Sequence, residues 1–133
     1  VLTRLEDPKK HQLTLVQKLK IDGIVVVSTP QEIALIDARR AVAMFRRTEI
    51  PILGMVENMA FFPDPATGEP IHIFGNGGAR AEAAVLGVPL LAEVPIDIAL
   101  RAGADEGRPA AADSPAGRAL HEAAREVRNL LAL

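Results

Sequence analysis

The 133 residues are enough for one domain with a single core. Apolar residues make up 49% and charged residues 24% of the chain, a balance typical of folded globular proteins. Aromatic residues are only 3%, so Val, Ile, Leu and Ala must supply the core. The net charge of −2 gives no electrostatic basis for binding nucleic acid or an anionic membrane surface. The absence of cysteine excludes disulfides, thiolate catalysis and cysteine-ligated zinc or iron–sulfur clusters within these residues.

The start of the chain shows no hydrophobic periodicity. Residues 1–10 are mostly polar and charged, which predicts an irregular segment and no signal peptide, while residues 11–133 are expected to form one structural unit. The longest strongly apolar stretch, residues 24–27, is far shorter than a bilayer span. These features predict a cytoplasmic protein with no membrane association.

The first elements are a helix and a strand. Leu13, Val16 and Leu19 mark a short amphipathic helix over residues 11–19. The run IDGIVVVS at 21–28 is rich in β-branched residues and has no polar alternation, which predicts a strand covered on both faces, as in a parallel sheet.

A helix should follow this strand directly. Thr29 is a candidate N-cap, Pro30 suits the first helical position and Glu32 completes a capping box. The helix is predicted to reach Arg46, with the arginines at 39, 40, 46 and 47 on a solvated side. The buried stripe is expected to consist of Ala34, Leu35, Ala38, Val42 and Phe45.

The later elements alternate between strands and helices. They are predicted as a strand at 52–56, a loop at 61–69, a short strand at 71–74, a helix at 79–86, a strand at 90–94 and a helix at 97–103. Gly87 should end the helix at 79–86. Ser114 and Pro115 should begin a last helix, whose buried stripe is predicted as Leu120, Ala124, Val127 and Leu131.

This alternation predicts an α/β fold with a parallel sheet of three or four strands. Helices on both faces of the sheet would give three layers. So few strands leave an open sheet edge, and open edges pair readily with another strand. A partner is therefore expected, either a second copy of the chain or another protein.

Motifs for catalysis are absent from the sequence. There is no GxxxxGK[ST] and no GxSxG, and His11, His72 and His121 show no metal-ligand spacing. Gly75, Gly77 and Gly78 precede a helix, so an anion could bind there, but a plain loop entering a helix is the favoured interpretation. No catalytic residue and no metal ligand is predicted.

The ends of the second and third strands carry the most informative residues. In open α/β sheets, ligands bind beyond the carboxyl ends of the strands. Asn58, in VENM at the end of the second strand, has an amide that can pair with adenine, or it simply forms a turn. Pro95 and Asp97, in VPID after the third strand, either shape a pocket for the base or end the strand.

Several stretches together resemble one family. DGIVVVSTPQEIALIDARRAVAMF, PILGMVENMAFF, HIFGNGGARAEA, LGVPLLAEVPID and DEGRP occur in an order and spacing similar to the C-terminal half of Mrp/ApbC-like proteins. These proteins form a subgroup of the MinD/ParA-type P-loop ATPases, and the subgroup is implicated in carrying iron–sulfur clusters to apo-proteins. The resemblance covers about residues 11–128 and implies a P-loop NTPase-like partial domain.

The resemblance implies roles for individual residues. Asn58 would contact adenine, and Pro95 and Asp97 would line the other side of the base. Many members have a C-P-x-C-G motif after ENM, and its two cysteines align with Asp64 and Thr67 here, while Pro65 and Gly68 are retained. Oxygen ligands replace thiolates poorly, so cluster binding by these residues is not expected.

The resemblance also implies cofactors and partners. The family hydrolyses ATP, but the sequence lacks the phosphate-binding loop, so these residues alone should be inactive and should bind ATP weakly. Expected partners are a second copy in a homodimer, a P-loop-containing protein, and apo iron–sulfur proteins as recipients. A non-catalytic interaction module derived from the same fold is the alternative. A partition-type ATPase is disfavoured, because Arg118, Arg125 and Arg128 are interspersed with Glu122 and Glu126.

Overall fold

The computed structural model describes residues 14–132. Residues 14–18 are helical, in agreement with the helix predicted over 11–19, whose first three residues lie outside the described part. The irregular segment predicted for residues 1–10 lies outside it as well.

Five strands and four further helices follow in chain order. The strands are β1 (Ile24–Ser28), β2 (Ile52–Asn58), β3 (Phe62–Pro63), β4 (Pro70–Ile71) and β5 (Leu90–Val94). The helices are α1 (Glu32–Phe45), α2 (Gly78–Leu86), α3 (Ile98–Asp105) and α4 (Pro115–Leu130).

The main sheet has three strands in the order β1-β2-β5, and all three are parallel. Val26 lies beside Met55, and Glu57 lies beside Glu93. The predicted parallel α/β fold is confirmed. The short strands β3 and β4 form a separate antiparallel pair, so the strand expected over 71–74 is wrong beyond Ile71.

Helices cover the sheet on both sides and divide the core into two clusters. On the α1–α2 face, the cluster comprises Val26, Leu35, Ala38, Val42, Met55, Ala79 and Ala83. On the α4 face, it comprises Val56, Leu91, Ala92, Val94, Ala116 and Ala123. The result is the expected three-layer arrangement.

The prediction that β1 is covered on both faces is only half right. Val26 is 6% exposed beneath α1, whereas Val27, on the opposite face, is 61% exposed. The reason is position, because β1 is an outer strand of the sheet and α4 packs over β5 and β2 instead. β1 also begins at Ile24, three residues later than predicted.

The two predicted helix starts have opposite outcomes. Ser114 does cap α4, because its Oγ accepts a hydrogen bond from the Gly117 N–H at 3.0 Å with Pro115 in the first turn. The predicted capping box at Thr29 is wrong. Helix α1 begins at Glu32, and its N-cap is Gln31, whose side chain makes no capping hydrogen bond to the helix. The Thr29 hydroxyl donates to Gln31 Oε1 instead.

The predicted stripe of α4 is only partly right. Val127 packs against the core as predicted, but the buried residues are Ala116, Gly117 and Ala123, and Leu120 is 40% exposed. A Cβ on Gly117 would overlap the carbonyl oxygen of Ala111, so the loop before α4 packs directly on the first turn of the helix. By contrast, the stripe of α1 is confirmed, with Leu35, Ala38, Val42 and Phe45 buried.

The end of α2 follows the prediction. Gly87 adopts the left-handed conformation, with φ of 68°, and its N–H bonds back to the last turn. This conformation favours glycine because a side chain would be strained there.

Candidate nucleotide-binding site

The carboxyl ends of β2 and β5 lie side by side. Asn58 is paired in register with Val94, the residue before Pro95. Backbone hydrogen bonds continue beyond the strands, from Ala60 N–H to Val94 O at 3.0 Å and from Ile96 N–H to Phe61 O at 2.7 Å. The segments that carry Asn58 and Asp97 therefore leave the sheet together at one edge.

Asn58 is half-buried at the tip of β2. Its Oδ1 accepts a hydrogen bond from the N–H of Met59 at 3.0 Å, and Met59 has an unusual φ of 54°. The side chain borders a cavity of about 440 Å³ that runs along β1 and includes Ser28 and Thr29. The chain thus turns sharply after Asn58, as expected of a turn-forming Asn, while its amide remains beside open space.

Asp97 begins helix α3. Its Oδ1 accepts hydrogen bonds from the N–H groups of Ala99 at 2.9 Å and Leu100 at 3.1 Å, an N-cap that the sequence did not predict. Its Oδ2 is buried and finds no hydrogen-bond partner among residues 14–132. A buried acceptor without a donor costs about 1–3 kcal/mol, so a rotation of the Asp97 side chain that brought Oδ2 to a donor would be stabilised.

The side chains of Asn58 and Asp97 do not border one common cavity. Asp97 borders a second cavity of about 350 Å³, together with Phe62, Pro63 and Ile96. Pro95 is buried between the two strand ends. The fold therefore brings the three predicted residues to one edge of the sheet, but the side chains of Asn58 and Asp97 face different cavities.

Sequence reasoning missed Glu57, the neighbour of Asn58. Glu57 is 1% exposed, and its Oε2 accepts a hydrogen bond from the N–H of Ala79 at 2.7 Å, in the first turn of α2. Burial raises the pKa of this carboxyl, and the bond from Ala79 opposes that rise. A charged residue at the end of an apolar strand was a visible signal, but its partner lies 22 residues away.

The glycine segment before α2 serves packing rather than anion binding. Gly77 adopts the left-handed conformation as the N-cap of α2. A Cβ on Gly78 would stand 2.7 Å from the carbonyl oxygen of Pro30. The Glu57 carboxyl already holds the Ala79 N–H that an anion would use.

The two positions aligned with the family's cysteines are engaged in a local turn. Asp64 Oδ1 accepts from the Ala66 N–H at 2.7 Å, and Thr67 Oγ1 accepts from the Glu69 N–H at 3.2 Å. Across the described residues, no group of three or more His, Asp or Glu side chains is arranged to hold a metal ion. The side chains of Asp64 and Thr67 thus stabilise the shape of the loop.

The described histidines bond locally. His72 Nδ1 lies 3.4 Å from Ala60 O. The His72 and Phe61 rings pack edge to face, with their centroids 6.4 Å apart. His121 Nδ1 lies 2.9 Å from Gly117 O, one turn earlier in α4. Both contacts are structural, and His11 lies outside the described residues.

Comparison with known families identifies one match over most of the chain. Residues 9–131 match the ParA family model described as NUBPL iron-transfer P-loop NTPase. This agrees with the resemblance drawn from the VENM, GNGG and VPID segments.

Similar proteins include carriers of iron–sulfur clusters. An Arabidopsis thaliana protein described as an iron-sulfur protein required for NADH dehydrogenase, mitochondrial, is 48% identical, covering 78% of this chain and 33% of its own length. A Deinococcus radiodurans iron-sulfur cluster carrier protein is 47% identical, covering 87% of this chain and 33% of its own. The chain thus spans about a third of these relatives.

A solved structure supports the fold. It is a nucleotide-binding protein from Archaeoglobus fulgidus in complex with ADP, 41% identical, with a TM-score of 0.63. The match covers 72% of this chain and 40% of the archaeal one.

Helices long and apolar enough to cross a bilayer do not occur between residues 14 and 132.

Proposed function

The chain belongs to the ParA family of NUBPL-type iron-transfer P-loop NTPases, and on that premise we propose that it is the adenine-binding part of an ATP-dependent iron–sulfur cluster carrier. The observation that supports this most directly is the buried Oδ2 of Asp97, which lacks a partner among the described residues at the edge where Asn58 also lies. Once the Asp97 side chain turns toward the cavity that it borders, this acceptor fits the exocyclic amino group of adenine.

Each of the three residues has a chemical task in this proposal. The amide of Asn58 donates to and accepts from the base, Asp97 Oδ2 accepts from its amino group, and Pro95 supplies an apolar contact. Since the two polar side chains border different cavities, the base would lie across the ridge between them. Bound ATP supplies the free energy of phosphoryl transfer, but the 133 residues contain no GxxxxGK[ST] loop to hold its phosphates. Binding by these residues alone is therefore weak.

The iron–sulfur cluster is the cargo of such a carrier. Without cysteine, and with Asp64 and Thr67 committed to their own turn, this part of the protein does not supply thiolate ligands. Its recipients would be apo iron–sulfur proteins, and its site of action the cytoplasm. Support for the cargo comes from the family and from the carrier of Deinococcus radiodurans.

Nuclear magnetic resonance with ATP and GTP tests the base site. We expect millimolar ATP to shift the amide signals of Asn58 and of residues 95–97, and GTP to shift them less, because guanine has no 6-amino group. Asn58→Ala should weaken ATP binding by about 1–3 kcal/mol.

Asn129→Ala is the matched control, because Asn129 is an exposed asparagine in the last turn of α4 that borders neither cavity, so the change should leave binding unchanged. Equal responses to ATP and GTP, or shifts confined to residues 75–79, would contradict the adenine assignment.

A second candidate function, a non-catalytic interaction module, is favoured by one observation. The edge of β1 is open, with Val27 61% exposed and a cavity of about 440 Å³ along the strand. An unpaired strand edge of this kind favours pairing with a homodimer partner or a P-loop-containing protein.

Sedimentation velocity over a range of concentrations tests this module. We expect self-association that Val27→Lys abolishes, while Val85→Lys, at a valine on α2 that is even more exposed, leaves it intact. A monomer at every concentration would exclude the homodimer form of this function.

A further inference from the structure

Glu57 joins three parts of the molecule at one buried point. Its carboxyl leaves the tip of β2, is 1% exposed, and accepts the Ala79 N–H of α2 at 2.7 Å. That first turn of α2 is in turn packed against Pro30, the residue that precedes α1. We propose that Glu57 is a pH-sensitive clasp, which holds the N-terminus of α2 to the sheet when protonated and loosens when it ionises.

Charged and titratable neighbours of the Glu57 carboxyl come from β5, from α2 and from the segment after β4. Glu93 of β5 lies directly beside it in register. Arg80 of α2 is paired with Glu93 at 3.2 Å, and His72, after β4, borders a third cavity of about 350 Å³ together with Glu57 and Glu93. β1 contributes only the uncharged Ser28. Since Arg80 is occupied by Glu93, no described cation forms an ion pair with Glu57.

Ionising a buried carboxyl beside a second carboxylate costs free energy, and here Glu57 is buried while Glu93 is partly exposed. Burial is the largest cause that raises the pKa of Glu57, and the negative charge of Glu93 raises it further. The Ala79 N–H and the positive charges of Arg80 and His72 act in the opposite direction without cancelling the rise. The protonated carboxyl is thus the form that the closed clasp prefers.

The sign of the pH effect follows from this preference. When α2 moves away, Glu57 reaches water and recovers its ordinary pKa, so the closed state binds the proton more tightly than the open state. The clasp is therefore fully effective below the ordinary carboxyl pKa and weakens as the pH rises through the raised value. At pH values above the raised pKa, the equilibrium between the closed and open states no longer changes with pH.

The clasp also controls the segment between β2 and α2. His72 contacts Ala60 O at 3.4 Å, so the segment that contains β3, β4 and Asp64 is tied to the same corner. Loosening at higher pH would free this segment and the start of α2 together, while the central sheet remains intact.

Hydrogen exchange of the Ala79 amide, measured by nuclear magnetic resonance from pH 4 to pH 8, tests the proposal. After correction for the intrinsic exchange rate, we expect the protection factor of the Ala79 amide to fall as the pH rises. The total fall should be tenfold for each pH unit between the ordinary and the raised pKa of Glu57. Glu57→Gln keeps an acceptor and cannot ionise, so its profile should be flat. Glu93→Gln should move the transition to lower pH.

Glu82→Gln is the matched control, because Glu82 is another buried carboxyl of α2, 6% exposed, but it pairs with Arg39 instead. This variant should keep the pH dependence at Ala79. A Glu57→Gln profile with the slope of the unmodified protein would overturn the proposal. Direct titration of the Glu57 carboxyl carbon in the unmodified protein needs no variant, and a midpoint at or below the ordinary value would also overturn it.

Discussion

On the α1–α2 face of the sheet, two carboxylates lie in the interior, whereas the buried cluster on the α4 face is entirely apolar. Glu57 holds the first turn of α2, and Glu82 accepts from Arg39 of α1 at 2.7 Å. The α4 face instead relies on small residues, Ala116 and Ala123, which pack among Val56, Leu91, Ala92 and Val94 of the sheet.

The difference shows two ways to position a helix on a parallel sheet. A hydrogen bond from a buried carboxyl fixes one point of the helix and depends on pH, because the carboxyl can change its charge. Close packing of small side chains fixes the separation of the layers and is insensitive to pH. We therefore expect the α1–α2 face to respond to solution conditions and the α4 face to respond to side-chain volume.

The largest effect that tests this comparison is expected from Ala116→Val. Ala116 is 0% exposed within the apolar cluster on the α4 face, so two added methyl groups would push α4 away from the sheet. We expect the free energy of unfolding to fall by about 3 kcal/mol. Urea denaturation measures the free energy of unfolding, and its decrease should be the same at pH 5 and at pH 7.

Ala124→Ser is the control on the same helix. Ala124 is exposed, so this small change should alter stability by less than about 0.5 kcal/mol. An Ala116→Val protein as stable as the unmodified one would show that α4 is not held by close approach to the sheet.

The same contrast explains which parts of the fold could be predicted from the sequence. Ser114 with Pro115 and Gly87 were predicted correctly, because a cap or a left-handed glycine depends on residues within one turn. Thr29 has equally good local chemistry, yet its capping box does not form. Pro30 instead packs against Gly78, a contact with a residue far along the chain.

The stripe of α4 was predicted only in part, for a related reason. Side-chain size suggested Leu120, but close approach of the helix to β5 selects Ala116 and Ala123 and leaves Leu120 40% exposed. Hydrophobic periodicity identifies the apolar side of a helix only when larger side chains fill the interface.

The candidate site shows the same division. That β2 and β5 would bring Asn58 and Pro95 to one edge follows from parallel pairing, which the sequence predicted. The capping bonds of Asp97 depend on where α3 begins, and the burial of Glu57 depends on where α2 lies against the sheet. Neither position could be predicted from the residue pattern. The adenine-binding roles of Asn58, Pro95 and Asp97 remain predictions.

The smaller test compares adjacent valines on the two faces of β1. Val26 is 6% exposed on the α1–α2 face, whereas Val27 is 61% exposed beyond the reach of α4. Threonine matches valine in shape but adds a hydroxyl, so Val26→Thr should cost about 2 kcal/mol by burying an unpaired polar group. Val27→Thr should change the free energy of unfolding by less than about 0.5 kcal/mol, because water still reaches the hydroxyl. Thermal and urea unfolding of the two variants measure the difference. Equal losses would mean that the outer face of β1 is covered in solution, and a partner on the open edge would be the simplest cover.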